Sequence, residues 1–408
     1  MYTHAECYTS MMRQKGLSHP WEPEYSKDSK LLILGTFPSP SSREMGFYYG
    51  HPQNVFWKSL ALSLGVPEPP CDVEARRNLL RESGVALWDV FKSLDINGAA
   101  DASIKNAEPN TFRKILETSS ISAIFTTGRT ATDAFNRLCS KEAGLRAIYL
   151  PSTSPANRRG QTTPEYAHRW SLVGKLLRHE LVSGLEMKRL DQKTIGEKGV
   201  SSLELMERAA CAVVEALRTG VLTNELQGAG PQGTGARAFE LQGSKKVLCV
   251  CGTGNNGGDG FAVARQLHSA GLPAEVLFIG SHEKRSDETI AQYRLAQDSG
   301  VAIHENDLSI IRGFPILVDA LFGIGLTRSL SGVYLEVVNE MCAAREAGAY
   351  VLAVDIPSGI SSDTGEPLNK AVKADETVTF AFNKIGLTIG AGPANAGRIT
   401  IADIGITT

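Results

Sequence analysis

Short apolar runs alternate with amphipathic, helix-like segments in the first half of the chain. The apolar runs are residues 31–34, 123–126 and 147–150, and helical periodicity is found near residues 54–64 and 129–139. Parallel strands need crossover connections, and these are usually helices. The order therefore predicts a parallel sheet with helices on both faces.

The same alternation returns after residue 246 and is clearer there. The apolar runs of this half are residues 247–251, 274–279, 316–322, 350–355, 376–382 and 398–404. Together the two halves predict an α/β protein of two three-layer αβα domains, the C-terminal one Rossmann-like with a mostly parallel sheet. The halves share this architecture but no internal sequence repeat.

The boundary between the halves is expected near residues 181–186. This gives a first domain over residues 1–180 and a second over residues 181–408. The length supports two domains, because 408 residues exceed an ordinary single core.

Two local signals follow the boundary. Ser201-Ser-Leu-Glu204 predicts a capping box, in which the Ser201 hydroxyl accepts a first-turn N–H and Glu204 reaches back, starting a helix that runs to about Leu217. Residues 227–244 are rich in Gly and Gln, which is typical of a flexible surface loop.

Composition narrows the class of protein. Hydrophobic residues make up 42% and charged residues 21%, and the net charge of -2 argues against a general nucleic-acid coat while leaving room for a local basic groove. The seven cysteines include no C-x-x-C pair, which favours reduced core thiols in a cytoplasmic protein. No apolar run approaches membrane-span length and no signal peptide is recognisable, so no membrane association is expected.

A glycine-rich turn after the run at 247–251 is the first candidate for binding chemistry. Gly252-Thr-Gly254-Asn-Asn-Gly257 fits G-x-G-x-x-G, which is a weak signal by itself. A strand that ends in such a turn before a helix offers free N–H groups to a phosphate. A dinucleotide cofactor site would also want an acidic residue ending the second strand, where this chain has Gly280-Ser281. An ordinary NAD-dependent dehydrogenase is therefore disfavoured.

Polar side chains also follow later runs of the second half. In an open parallel sheet the loops at the carboxyl ends of the strands share one crevice. A glycine loop at residues 323–329 would allow close approach to a pyrophosphate, and the loop at 382–386 follows the next strand. The polar residues expected to meet there are Asn256, Asp319, Asp355 and Ser358.

Three motifs in this order resemble the NAD(P)HX epimerases, also called NAD(P)H-hydrate epimerases. They are NNGGDG from Asn255, VDALFGIGL from Val318 and VDIPSG from Val354, and the resemblance covers residues 187–408. It implies an isomerase that interconverts the R and S epimers of hydrated NADH or NADPH at C6 of the damaged nicotinamide ring.

The resemblance also implies roles for particular residues. Asp355 would lie beside the hydrated ring as the catalytic residue, since a carboxylate can move protons on and off a hydroxyl. A potassium ion (K+) would be bound by the oxygens of Asn256, Asp319 and Ser358. The substrate would also contact Asn255, Asn256, Gly257, Gly258, Asp259, Gly323, Ile324, Gly325, Leu326, Thr327, Arg328 and Ser329.

Other interpretations of this half remain open. Asp319 alone could be a cap or turn residue, and Ser358 an ordinary turn residue. The whole half could be a noncatalytic nucleotide-binding or interaction scaffold. Bacterial members commonly continue into an ADP- or ATP-dependent dehydratase, whereas this sequence ends at Thr408. That step is expected from a separate dehydratase, unless the reading frame is truncated. The assembly could be a homodimer.

The first half carries a cluster of aromatic and polar positions. Gly35-Thr-Phe-Pro-Ser39 ends an apolar run, Tyr48-Tyr-Gly-His-Pro-Gln-Asn-Val-Phe-Trp57 follows it, and Leu150-Pro-Ser-Thr-Ser-Pro-Ala-Asn157 precedes Arg158 and Arg159. Aromatic rings beside amides and hydroxyls suit an extruded base. The two arginines suit a DNA backbone.

These motifs resemble the uracil-DNA glycosylase superfamily, in its hypoxanthine (deoxyinosine) branch, over residues 28–175. Residues 84–91 and 101–104 also fit. The resemblance implies damaged DNA as the partner, Asn54 as the catalytic residue that positions water or the base, and Phe37 as the stacking ring.

More ordinary roles compete with these. Asn54 could cap a helix that begins at Val55, alone or in addition to a catalytic role. Arg158 and Arg159 could be a solvated pair, and the half could be a DNA-binding module without activity. The rings that could simply pack a core are Tyr48, Tyr49, Phe56 and Trp57.

Overall fold

The computed structural model describes residues 13–98, 100–222 and 246–408. The chain forms two compact units, Met1–Leu185 and Glu186–Thr408. The predicted loop at 227–244 and Cys7 lie outside the described residues.

The N-terminal unit combines a parallel and an antiparallel sheet. Its strands are β1 (Arg13–Ser18), β2 (Leu31–Gly35), β3 (Val85–Asp89), β4 (Phe91–Asn97), β5 (Lys105–Pro109), β6 (Ala123–Thr127), β7 (Ala147–Leu150) and β8 (Leu181–Val182). Its helices are α1 (Pro40–Met45), α2 (Phe56–Leu64), α3 (Val73–Ser83), α4 (Arg113–Glu117), α5 (Arg129–Leu138), α6 (Ser140–Ala143) and α7 (Pro164–Leu177).

The predicted parallel sheet of this unit is confirmed as four strands in the order β3-β2-β6-β7. A three-stranded antiparallel sheet, β1-β4-β5, was not predicted. The sequence KNAEP of β5 is almost wholly exposed, so no apolar run marks it. The carboxyl ends of β2 and β6 are neighbours from which the chain proceeds in opposite directions, and a crevice is expected at such a point.

The C-terminal unit is built on one seven-stranded sheet. Its strands are β9 (Val247–Cys251), β10 (Ala274–Phe278), β11 (Ala302–Glu305), β12 (Ile316–Ala320), β13 (Tyr350–Val354), β14 (Glu376–Phe380), β15 (Asn383–Lys384) and β16 (Arg398–Ala402). Its helices are α8 (Gly184–Lys198, which begins just before the unit boundary), α9 (Ser202–Leu217), α10 (Asn255–Ser269), α11 (Asp287–Asp298), α12 (Val333–Glu346) and α13 (Gly392–Ala396).

The seven strands are all parallel, in the order β11-β10-β9-β12-β13-β14-β16, which confirms the α/β fold class. Strand order reverses between β9 and β12, so loops at their carboxyl ends diverge and leave a crevice. All six predicted runs contain strands, but five of these strands end one or two residues before the predicted end. Strand β11 was missed because its AIHE sequence is a short, partly exposed edge.

The predicted glycine-rich turn is shorter than expected, because helix α10 already begins at Asn255. Close packing explains this. A Cβ on Gly257 would lie 2.0 Å from the Gly252 carbonyl oxygen, and one on Gly260 would lie 2.5 Å from the Cβ of Ala320. The glycines therefore let the first turns of α10 lie directly on β9 and β12.

The predicted capping box is half formed. Ser201 Oγ accepts the N–H of Glu204 at 3.1 Å, as expected, and the helix ends at Leu217. Glu204 does not reach back. Its carboxylate accepts a hydrogen bond from Arg208 at 2.6 Å, because a charged partner one turn away competes with the backbone N–H.

The expectation of core thiols holds for three cysteines. Cys139, Cys249 and Cys251 are buried, whereas Cys71 and Cys211 are exposed and Cys342 is half-buried. Cys211 lies on the exposed face of α9, and the periodicity of this helix had not ruled out a buried position for it. In the part of the chain that the structure describes, no helix has both the length and the apolar character needed to span a bilayer.

Candidate functional sites

A cavity of about 670 Å³ lies in the C-terminal unit at the carboxyl ends of β9, β12 and β13. Helices α8 and α9 form its other wall through Met187, Asp191 and Leu205, among other residues. The predicted site residues that line it are Asn255, Asn256, Asp259, Gly323, Ile324, Gly325, Leu326, Thr327, Arg328 and Asp355.

Five predicted residues lie outside this lining. Gly257 and Gly258 are buried residues of the first turn of α10, where a Cβ on Gly258 would lie 3.0 Å from Met206. Asp319 and Ser358 are buried behind the loop that begins at Phe322, and Ser329 follows the lining segment.

Asp355 is held in a demanding geometry at the end of β13. Its φ is 67°, unusual for a residue with a side chain, and its N–H donates to Val378 O at 2.7 Å. Its Oδ1 accepts from Lys384 Nζ at 2.5 Å and more weakly from Thr379 Oγ1 at 3.3 Å. Within the described residues, Oδ2 accepts no hydrogen bond.

Lys384 was not singled out from the sequence, although its loop was. Its side chain is 1% exposed. The ammonium donates to Asp355 Oδ1, to Thr379 Oγ1 at 2.9 Å and to Phe380 O at 2.9 Å. All three protons have acceptors, which is what makes a buried ammonium tolerable.

Asp319 and Ser358 join two strand-end loops. Ser358 donates to Asp319 through its hydroxyl at 2.6 Å and through its backbone N–H at 2.8 Å. The same hydroxyl accepts the Phe322 N–H at 2.9 Å. Burial raises the pKa of Asp319 to about 6, and the hydrogen bonds from Ser358 oppose that rise.

Asn256 completes this group from the first turn of α10. Its Oδ1 lies against Gly323, where a Cβ would come within 2.9 Å. Its Nδ2 is buried and has no hydrogen-bond partner in the described part of the chain. Buried amide groups are rarely left so, which makes this nitrogen a candidate for ligand contact.

Two more carboxyl groups stand close to Asp355. Burial raises the pKa of Asp191 to about 6; the charge of Asp355 adds to this rise, and that of Lys384 opposes it. Burial also raises the pKa of Asp259, with Asp355 and Asp191 as further causes. Asp191 was missed because α8 carries no recognisable motif. The only sequence feature that points to it is its spacing of four residues from Met187 and from Ile195, which places the three side chains on one face of the helix.

In the N-terminal unit, the predicted motifs meet at the carboxyl edge of the four-stranded sheet. The N–H of Val55 donates to Thr153 O at 3.2 Å, which joins the Tyr48–Trp57 motif to the Leu150–Asn157 loop. Thr36 Oγ1 donates to Asp101 at 2.9 Å, which brings the 101–104 segment to the turn after β2.

Asn54 precedes the helix, which begins at Phe56 rather than Val55. Its Oδ1 accepts the Phe56 N–H at 2.9 Å, so Asn54 satisfies a first-turn donor, but the N-cap residue is Val55 and not Asn54. No hydrogen bond from its Nδ2 is found among the described residues. Three of the competing aromatic residues, Tyr48, Phe56 and Trp57, are core residues.

A buried histidine–aspartate hydrogen bond that the sequence did not predict lies beside the turn. His19 Nε2 and Asp89 Oδ2 are 2.9 Å apart, and both side chains are about 5% exposed or less. The imidazole has edge contacts with Trp21 and Phe37. Asp89 Oδ1 lies over Gly35, where a Cβ would come within 2.2 Å.

Arginines cluster near the Leu150–Asn157 loop. Arg129 lies over the ring of Tyr149 at 4.2 Å and Arg169 at 5.6 Å. Arg158 and Arg159 are exposed. Arg158 and Arg159 make this surface locally basic, whereas Arg169 is paired with Glu165 at 3.7 Å.

Comparison with known proteins agrees with the epimerase resemblance and, at the level of the superfamily, with the glycosylase resemblance. The family described as YjeF-related protein N-terminus matches residues 202–386, and the uracil DNA glycosylase superfamily matches residues 22–174. An NAD(P)H-hydrate epimerase of Limosilactobacillus reuteri is 41% identical over 224 residues, covering 55% of this chain and 95% of that protein. Another from Oenococcus oeni is 39% identical over 225 residues, covering 55% and 96%.

A solved structure resembles the first half. It is the solution structure of a protein from Methanosarcina acetivorans, provisionally described as a uracil DNA glycosylase. It is 30% identical, with a TM-score of 0.35, and covers 41% of this chain and 100% of that one.

Proposed function

Because the chain belongs to the NAD(P)H-hydrate epimerase family through its C-terminal unit, we propose that this unit interconverts the R and S epimers of hydrated NADH and NADPH. The observation that carries the proposal is the cavity where the start of α10, the 323–328 loop and Asp355 share one space. A dinucleotide with a reactive ring needs both a phosphate-binding site and a proton-transfer group, and this cavity offers both.

The phosphate-binding site is the start of α10. As the first helical residues, Asn255 and Asn256 have N–H groups without intrahelical acceptors, and the helix dipole favours an anion there. Arg328 adds a cationic side chain to the same cavity. Asn256 Nδ2, which has no hydrogen-bond partner among the described residues, is a further donor for the nucleotide.

Asp355 is the proton-transfer group. Lys384 holds Oδ1 in place and stabilises the carboxylate, while Oδ2 is free to bond the hydroxyl on C6 of the hydrated ring. The strained backbone at Asp355 points to the same conclusion, since strain of this kind persists where the surroundings impose it and is frequent at functional sites.

A potassium ion fits the group behind the cavity. The oxygens of Asn256, Asp319 and Ser358 are a carbonyl, a carboxylate and a hydroxyl, a donor set suited to a hard cation with low charge. When bound, the ion would balance the buried charge of Asp319 and strengthen the nucleotide site electrostatically. Ser358 also hydrogen-bonds the Phe322 N–H, and Asn256 of α10 lies against Gly323 in the same turn.

The test is conversion of purified R epimer to S epimer by the full chain, followed by chromatographic separation of the two epimers. Asp355→Asn keeps the shape of the side chain but removes its basicity, so turnover should fall by about 10²–10⁴-fold with little change in KM. A folded wild-type protein with no rate above the spontaneous one would leave the noncatalytic scaffold as the better interpretation.

For the N-terminal unit, the function supported best is removal of a deaminated base such as hypoxanthine from DNA. The observation in favour is that the turn after β2, Asn54 and the Leu150–Asn157 loop meet at one edge beside exposed arginines. Because Oδ1 of Asn54 already accepts from Phe56, its Nδ2 would act, donating to the base or to a positioned water. Phe37, half-buried beside His19, would stack on the extruded base.

This proposal is tested with a labelled duplex that contains one deoxyinosine, incubated with protein and then with alkali. Strand cleavage should depend on Asn54 and fall by at least about 100-fold in Asn54→Ala. Arg158→Ala with Arg159→Ala should weaken DNA binding and reduce its salt dependence. Binding without cleavage of deoxyinosine, deoxyuridine or mismatched duplexes would favour a DNA-binding module.

A further inference from the structure

A second carboxyl group of the cavity, Asp191, has no role in the function proposed so far. It lies on α8, on the wall formed by Met187, Lys188 and Ile195, and so approaches the cavity from a different element than Asp355. No hydrogen bond to its carboxyl is found among the described residues, although the group is mostly buried.

For folding stability by itself, a carboxyl group that is mostly buried, has no hydrogen-bond partner and lies beside another carboxylate is unfavourable. The charged groups near Asp191 also disfavour ionisation of its carboxyl. Asp355 is a like charge, and Asp259 is a further carboxyl group whose own pKa burial raises. Lys384 is the opposing cation, but its three protons are donated to other acceptors, and the exposed Lys188 and Arg328 also line the cavity. A group kept in such surroundings is typical of a functional role.

Epimerisation at C6 requires two proton-transfer groups when the hydroxyl leaves one face and water adds to the other. One group must protonate the departing hydroxyl, and another must accept the proton of the incoming water. Asp355 supplies one such group. A single carboxylate held by Lys384 cannot serve both faces of the ring at once.

We propose that Asp191 is the second acid–base residue of the epimerase, acting on the face of the nicotinamide ring opposite to Asp355. This rests on the proposed epimerase function.

In one direction, Asp191 gives its proton to the C6 hydroxyl, the C6–O bond breaks with its electron pair on oxygen, and water leaves. The N1 lone pair forms the N1=C6 double bond. Water then adds to the other face, its proton passes to the Asp355 carboxylate, and the electron pair returns to N1. The reverse direction exchanges the two roles, so atoms and charge balance without an added reagent.

The decisive variant is Asp191→Asn in the full chain, with hydrated NADPH as substrate. The expected kcat falls by about 10²–10⁴-fold while KM stays within about twofold. The wild-type pH–rate profile should have two limbs, and the variant should lose one of them. Glu197→Gln is the matched control, because Glu197 is an exposed carboxylate on the same helix. It should retain wild-type kcat and both limbs.

A second measurement does not depend on a variant. In water enriched in ¹⁸O, each wild-type inversion should place one labelled oxygen at C6, because the departing hydroxyl exchanges with solvent. Inversion without label would overturn the proposal, as would Asp191→Asn with full kcat in an active enzyme. If the wild type itself shows no epimerisation, the proposed function fails instead, so the two failures are distinguishable.

Discussion

A single ammonium, that of Lys384, organises the carboxylates of the cavity. Its three hydrogen bonds satisfy the buried charge, and one of them immobilises Oδ1 of Asp355. The same contacts thus serve packing and chemistry. Removing the ammonium would leave Asp355 buried without its counter-ion, next to Asp191 and Asp259.

The raised pKa of Asp191 has a consequence for stability. The pKa of about 6 exceeds the usual value of 3.8, so the folded state binds a proton more tightly than the unfolded state, and stability declines as pH rises between these values. We expect Asp191→Asn to stabilise the C-terminal unit by roughly 1–3 kcal/mol above pH 6, with the gain vanishing below about pH 4.

Thiol labelling in urea measures this gain specifically. Cys249 and Cys251 are fully buried in β9, so their labelling reports opening of the C-terminal unit. Equal midpoints for wild type and variant at pH 7.5 would contradict the prediction. A variant that is more stable but less active would show that Asp191 is retained for function.

The His19–Asp89 pair allows a second prediction at this scale. Asp89→Ala leaves a buried imidazole without its acceptor, and should destabilise the N-terminal unit by roughly 2–4 kcal/mol. Asp89→Asn keeps an acceptor and should lose less. All four tryptophans lie before Leu185, so tryptophan fluorescence reports unfolding of this unit. An unchanged urea midpoint in Asp89→Ala would refute the role of the pair.

At the scale of elements, the close approach of α10 to the sheet decides where the site is. A Cβ on Gly260 would lie 2.5 Å from Ala320 Cβ and 2.6 Å from Cys251 Sγ. Gly260→Ala gains about 1 kcal/mol of helix propensity but must push the helix off the sheet. We expect a net loss of roughly 1–3 kcal/mol and weaker substrate binding, because Asn255 and Asn256 move with the helix.

The control for this prediction is Gly313→Ala. Gly313 is exposed and no atom lies within 4 Å of its added Cβ, so stability should change by less than about 0.5 kcal/mol. Cys249 and Cys251 labelling again provides the measurement. Equal stability of the two variants would mean that the helix can shift without cost.

Most elements of the sheets could be predicted, and the omissions have a physical cause. Five of the six runs of the C-terminal unit are apolar because they form central parallel strands that are buried on both faces, whereas the sixth, at 398–404, forms the mostly exposed edge strand β16 and was recognised by its alternating isoleucines. Edge strands β5 and β11 are exposed and carry no such signal. The second hydrogen bond of the capping box did not form because Arg208 binds the Glu204 carboxylate instead, and local sequence rules do not take such a competing partner into account.

At the scale of the whole molecule, the two units carry separate sites. Each candidate site is built wholly from residues of its own unit. We therefore expect the two activities to be independent. In the full chain, Asp355→Asn should lower the epimerisation rate by about 10²–10⁴-fold and leave base excision unchanged. Asn54→Ala should lower base excision by at least about 100-fold and leave epimerisation unchanged.

Both activities can be measured on the same protein preparation. The rate of R-to-S conversion and the rate of duplex cleavage give one ratio for each variant. A substitution that lowers both rates by the same factor would indicate coupling between the units, or a loss of folded protein. Circular dichroism of each variant separates these two outcomes.

The sequence by itself determined the order of strands and helices and the polar motifs at the strand ends. This information is local, because apolar periodicity and motif residues are adjacent along the chain. Only the tertiary structure brought Asp191, Asp259 and Lys384 to Asp355, and joined His19 to Asp89. Their pairing and pKa values depend on burial and on neighbours distant in sequence, and no local pattern encodes these.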